Sequence, residues 1–182
     1  GINNITPSYN KLIISFDLEK TNYLEIKKVV MNIDIKEDAQ NNNKKVKVPV
    51  CCENEFGLDF KRLLDKTRLS KEEILKFYLE KEYFCYMTGF IAGMPFLGDI
   101  NKKIRCDRLE TPRVKVPQGS VGITEQFTNI YTFESPGGWN IIGNTPLKIF
   151  DKLNLEEPAL IKPGDKVSFY QISKKEYINW NE

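Results

Sequence analysis

From Tyr83 onward the chain changes texture, and that change limits its fold more than any other feature. Before this point, apolar residues recur at helical spacing. Beyond it come short β-branched and aromatic runs broken by glycine and proline. The strand candidates span 84–88, 113–116, 120–123, 129–133, 140–142, 147–150 and 166–172. Short strands with turn chemistry every ten residues or so predict a closed, mostly antiparallel barrel.

The first half reads differently. Residues 11–16, KLIISF, form a strand candidate after a turn at Pro7, and Tyr23, Leu24, Ile26, Val29 and Val30 fit one face of a helix over 22–31. The polar patch 36–45 reads as a mobile loop. Val46, Val48 and Val50 alternate as in a strand, which Pro49 demotes to an edge or a strand end. A helix follows over 59–66. Ser70-Lys71-Glu72-Glu73 is a capping box opening another that runs to about Leu79. The expected class is α+β, mainly β, with a small N-terminal α/β domain over 1–82 and a β-barrel domain over 83–182.

Composition excludes several functions. A net charge of +2 and no basic stripe with interleaved aromatics argue against nucleic acid. The most basic run, NNNKKVK at 41–47, reads as a solvated loop. No apolar run approaches the ~20 residues that span a bilayer, and GINNITPSYN has no signal-peptide character. Cys51, Cys52, Cys85 and Cys106 lack CxxC spacing and read as reduced thiols of a cytoplasmic protein.

Histidine is absent. This removes Ser-His-Asp and Cys-His catalysis and histidine-based zinc sites from this chain. A general acid or base must be a carboxylate, Lys, Tyr or Cys, or come from a partner. Ser120 and Ser135 accordingly lack a base. Glu53, Glu55 and Asp59 cluster before a helix, where Asp59 is expected as the cap and no metal site is identified. Gly89, Gly93 and Gly98 do not make GxGxxG, and Walker A is missing.

The glycines and prolines concentrate in ESPGGWNIIGNTP at 134–146. Pro136-Gly137 suits a type II turn, with Gly138 leaving room for a close approach. Such a segment either cradles a ligand or reverses a strand, and Trp139 is either a half-buried anchor or a stacking platform. Arg108 and Arg113 bracket LETP as candidate carboxylate or phosphate forks, or as surface charges at a strand entry. Gln126 and Tyr131 flank a predicted turn. Their amide and phenol match a lactam's donor and acceptor, the alternative being a satisfied loop amide and a barrel-wall phenol.

The blocks EYFCYMTGFIAGMPFLGDI, TPRVKVPQGSVGI, QFTNIYTFESPGGWNIIGNTPLKIFD and PALIKPGDKVSFYQIS, in this order, resemble the family of the 5-oxoprolinase B subunit. The family also carries the name allophanate hydrolase subunit 1 (carboxyltransferase domain, subdomain C and D type) and includes the kinase inhibitor KipI. VPVCCENEFGLDF and PSYNKLIISFD are similar to earlier family segments. The resemblance implies a cyclophilin-like β-barrel after the α/β domain, and assembly with a homologous C subunit that uses ATP on 5-oxoproline. An A subunit then completes ring opening to glutamate. The resemblance also implies an opening strand and helix that are missing here. The alternatives are inhibition of a sensor histidine kinase and a non-catalytic scaffold. On this resemblance Arg113, Gln126, Tyr131 and Asn144 are expected at the substrate, and Arg108, Pro136, Gly137, Gly138 and Trp139 at a ligand or partner rim. The sequence departs from the family pattern at Tyr78, where histidine is usual, at Ala92 and Met94 in place of PGF, and at Asn144 in place of the arginine of GRTP.

Overall fold

A computed structural model describes residues 1–34 and 43–181. Its contacts divide into two compact units, Gly1–Asn42 and Asn43–Glu182.

In the smaller unit, β1 (Ile2–Ser8) and β2 (Lys11–Phe16) form an antiparallel hairpin. The reversal is at Tyr9-Asn10, with Tyr9 at φ 52°. The turn expected at Pro7 is displaced, because Pro7 is part of β1 opposite Leu12. A two-stranded sheet is all edge, so an outward-facing proline there breaks no ladder. Helix α1 (Tyr23–Met31) starts where the Asn22 side chain accepts from the Leu24 and Glu25 amides. The polar patch expected as a loop lies, for residues 36–42, outside the described residues.

The larger unit contains β3 (Lys45–Cys51), α2 (Phe60–Thr67), α3 (Lys71–Leu79), β4 (Glu82–Thr88) and β5 (Pro95–Gly98). After a short 3-10 turn come β6 (Arg113–Val116), β7 (Ser120–Thr124), β8 (Phe127–Ile130), β9 (Ser135–Gly137), β10 (Asn140–Asn144), β11 (Lys166–Ile172) and α4 (Lys174–Ile178). Seven strands close a barrel in the order β10-β3-β11-β4-β5-β8-β7, while β6 and β9 pair separately.

Strand β3 corrects the reading of Pro49. It is an interior stave, parallel to β11 along its whole length, with Tyr170 opposite Pro49. On its other side β10 meets it only at Cys51↔Asn144, so a missing amide at Pro49 costs no bond there. At that seam a Cβ on Gly143 would stand 2.7 Å from the Cys51 carbonyl, so glycine permits the closure. The boundary read near residues 80–84 falls between α3 and β4, inside the larger unit, because β3 supplies a stave from before it.

Other strands also moved. The expected strand 129–133 is β8, ending at Ile130, because the β7–β8 hairpin turns at Glu125-Gln126. Residues 147–150 form only an isolated bridge, Phe150↔Ala159. Pro136-Gly137 is not a type II turn: it is part of β9, paired with β6, and Gly137 is not among the positive-φ glycines.

Alternation of side chains explains the cores. Ile130 on β8, Leu97 on β5 and Ile142 on β10 enter the main cluster, which α2 and α3 share through Leu63, Ile74 and Tyr78. Their neighbours Tyr131, Phe96 and Ile141 join a second cluster with Met94 and Val116. The capping box of α3 forms as expected between Ser70 and Glu73. The Asp59 cap does not. Its carboxylate instead accepts from the Ile141 amide at 2.7 Å and from Arg113 Nη2 at 2.6 Å. A buried carboxylate gains more from a cation and a strand amide than from one helix amide.

Candidate functional site

Beside the second cluster lies a cavity of about 540 Å³. Phe90, Phe96, Phe127 and Trp139 give it aromatic walls, completed by Met94, Pro112 and Pro136. Its polar groups are Arg108, Tyr131, Thr124 and Glu125. Five separate segments contribute: the β4–β5 loop, β5, the segment before β6, the β7–β8 hairpin, and β9 with the residues around it. Trp139 is 9% exposed and meets Phe96 edge-on at 5.6 Å, so it is a wall of the cavity.

Gly137 is required here. A Cβ on it would collide with the Tyr131 hydroxyl, so the β9 backbone passes directly over the phenol. The phenol is buried, which pushes its pKa up, against the opposing pull of Asn129 and of the Arg108 cation. Ser135 Oγ is buried without a hydrogen-bond partner.

Arg108 is exposed and its guanidinium lies against Gly138, where a Cβ would stand 3.5 Å from Nη2. The guanidinium forms no ion pair or hydrogen bond with another described residue. Arg113, the expected anion anchor, is ion-paired to Asp59 at 2.6 Å and does not line the cavity. On β6 it stands opposite Gly137, and its guanidinium reaches Asp59 just before α2. Gln126 is at the hairpin tip, where its carbonyl accepts from the Ile100 amide, and strand β8 separates it from Tyr131. Asn144 is elsewhere too, bonded to the Gln118 carbonyl and accepting from the Tyr177 hydroxyl at 2.9 Å. The cavity therefore collects Arg108, Tyr131, Pro136, Gly137 and Trp139, and leaves out Arg113, Gln126, Gly138 and Asn144.

Tyr78, where the family resemblance leads us to expect histidine, is fully buried and shares a hydrogen bond of 2.9 Å with Thr128. Burial raises its pKa well above the ordinary phenol value. All four cysteines are buried free thiols. No group of three or more potential metal ligands occurs among the described residues. No helix among them is long and apolar enough to cross a membrane.

One arginine facing an aromatic-walled, largely apolar cavity suits a small molecule with a carboxylate. It does not suit a triphosphate, for which these walls offer a single cation with Glu125 nearby.

The family model described as carboxyltransferase domain, subdomain C and D, matches residues 1–161. The chain belongs to this family. It is 41% identical over 149 residues to the 5-oxoprolinase B subunit of Bacillus subtilis (strain 168), a match over 82% of this chain and 62% of that protein. The chain thus spans about three fifths of that relative. A conserved uncharacterized protein from Pyrococcus horikoshii superposes with a TM-score of 0.70 at 35% identity, over 97% of this chain and 81% of the other. The Kluyveromyces lactis urea carboxylase shares the fold, at TM-score 0.80 and 20% identity, over 98% of this chain and 18% of the larger enzyme.

Proposed function

We propose that the chain is the B subunit of an ATP-dependent 5-oxoprolinase, acting with a homologous C subunit, and with an A subunit. The observation that carries this reading is the free Arg108 guanidinium at an aromatic cavity, in a chain related to the 5-oxoprolinase B subunit. 5-Oxoproline joins a five-membered lactam ring to one carboxylate. The ring matches the walls of Trp139, Phe96 and Phe127, and the carboxylate matches the arginine fork. The Tyr131 phenol beneath β9 is one of the polar groups on these walls. ATP is assigned in this reading to the partner subunits, since the cavity does not fit a triphosphate. The histidine-free sequence agrees with a division of labour in which acid and base groups come from another chain.

Calorimetric titration of 5-oxoproline into the complex with the C and A subunits tests the reading. The complex should bind and turn over the lactam, and the chain alone should not turn it over. Arg108→Ala should weaken binding ten- to a hundredfold, the worth of ~1.5–3 kcal/mol for a charge-assisted hydrogen bond. Stability should stay within ~0.5 kcal/mol, because the side chain is exposed. A complex that binds 5-oxoproline equally well without Arg108 refutes the site.

A further inference from the structure

We infer that Arg62, on α2 and outside the cavity, is the positioning residue that presents Arg108 to the ligand carboxylate. The inference rests on the cavity being the 5-oxoproline site. Residues 105–112 form no regular element, so their shape comes from what ties them down. Arg62 Nη1 lies within hydrogen-bonding distance of Asn140 Oδ1 at 2.6 Å, Cys106 Sγ at 2.8 Å and the Asp107 carbonyl at 3.1 Å. Nη2 donates to the Arg108 carbonyl at 3.2 Å and to Asp107 Oδ1 at 3.3 Å. One planar fork thus holds three consecutive residues, a task that a lysine's point charge cannot perform.

The held segment is in turn joined to the cavity walls. The Leu109 amide donates to the Gly138 carbonyl at 2.7 Å, beside Trp139. The Glu125 amide donates to the Cys106 carbonyl at 2.7 Å, and Asn140 Nδ2 to the Asp107 carbonyl at 3.0 Å. Arg62 has a second effect through charge. Asp107 is the immediate neighbour of Arg108, and its carboxylate faces Arg62, with Lys66 Nζ at 3.9 Å. Without Arg62 that carboxylate is free to turn toward Arg108 and compete with the ligand's own.

The test compares Kd for 5-oxoproline and for 2-pyrrolidinone, the same ring without a carboxylate, on the full chain assembled with its partner subunits. Arg62→Gln should lower the preference for 5-oxoproline about tenfold, as Arg108→Ala does, and leave 2-pyrrolidinone binding unchanged. Asp107→Asn added to Arg62→Gln should recover part of the preference. Arg62→Lys, a milder change that decides the matter if Arg62→Gln does not fold, should lose preference severalfold. If Arg108→Ala removes the preference while the Arg62 variants keep it, Arg62 is structural only and the inference fails. If Arg108→Ala keeps the preference, the reading of the cavity fails first and takes the Arg62 role with it.

Discussion

The two compact units use similar secondary structure to opposite effect. In Gly1–Asn42, a hairpin and a capped helix form with correct local chemistry, yet none of the described residues is buried. Leu18, Leu24 and Met31 are 81%, 73% and 75% exposed. In Asn43–Glu182, strands of similar length close on themselves, and side chains such as Tyr78, Tyr83 and Ile123 reach 0%. A two-stranded sheet has a single layer, and an isolated hairpin or nine-residue helix is marginal in water. Closure supplies the second layer, so it is closure that converts alternation into a core.

The largest break in this contrast should come from the aromatic cluster of the barrel. Tyr78 packs on Phe169 at 5.0 Å and Tyr83 at 5.3 Å while bonding Thr128. Tyr78→Ala should cost ~3–5 kcal/mol in urea unfolding, as large aromatic deletions do. A loss below ~1 kcal/mol would show that the cluster is not part of a close-packed core.

A smaller effect should follow from pH. Burial pushes the Cys52 and Cys85 thiols up to about 12 from an ordinary 9.0. Below pH 9 both states are protonated and stability is unaffected. Between about 9 and 12 the unfolded chain loses these protons while the folded chain keeps them, so stability falls as pH rises. By pH 10 the loss should be about 1.4 kcal/mol per thiol. Melts of the Cys52→Ala/Cys85→Ala variant should show less of this alkaline decline, and an identical decline would assign it to other groups.

The smallest effect belongs to the exposed helix. Leu24→Ser on α1 should change the stability of this chain by no more than ~0.5 kcal/mol. A loss comparable to that of Tyr78→Ala would abolish the contrast between the units.

The legible parts of the sequence were those where local chemistry decides. Ser70 and Glu73 wrote the start of α3, and 166–172 emerged as β11 with its bounds intact. Pro49 misled because its penalty depends on which neighbour a strand has, and β10 touches β3 at one residue only. Pro136-Gly137 misled in a similar way. Glycine there provides space for the Tyr131 hydroxyl, a contact from a residue just past β8, a strand the segment does not pair with. Arg113 and Arg108 are indistinguishable in a linear reading, since both are arginines flanking LETP.

By itself, then, the sequence determined the α3 capping box, most strands, the absence of histidine chemistry and the family blocks. These are properties of neighbours along the chain, set by backbone propensity and residue type. Only the tertiary structure decided that Asp59 neutralises Arg113 from 54 residues away. Only there does Arg62 hold the backbone at Arg108, so that one arginine is left facing the cavity. Charge pairing falls off with distance in space, and distance in space is what barrel closure creates.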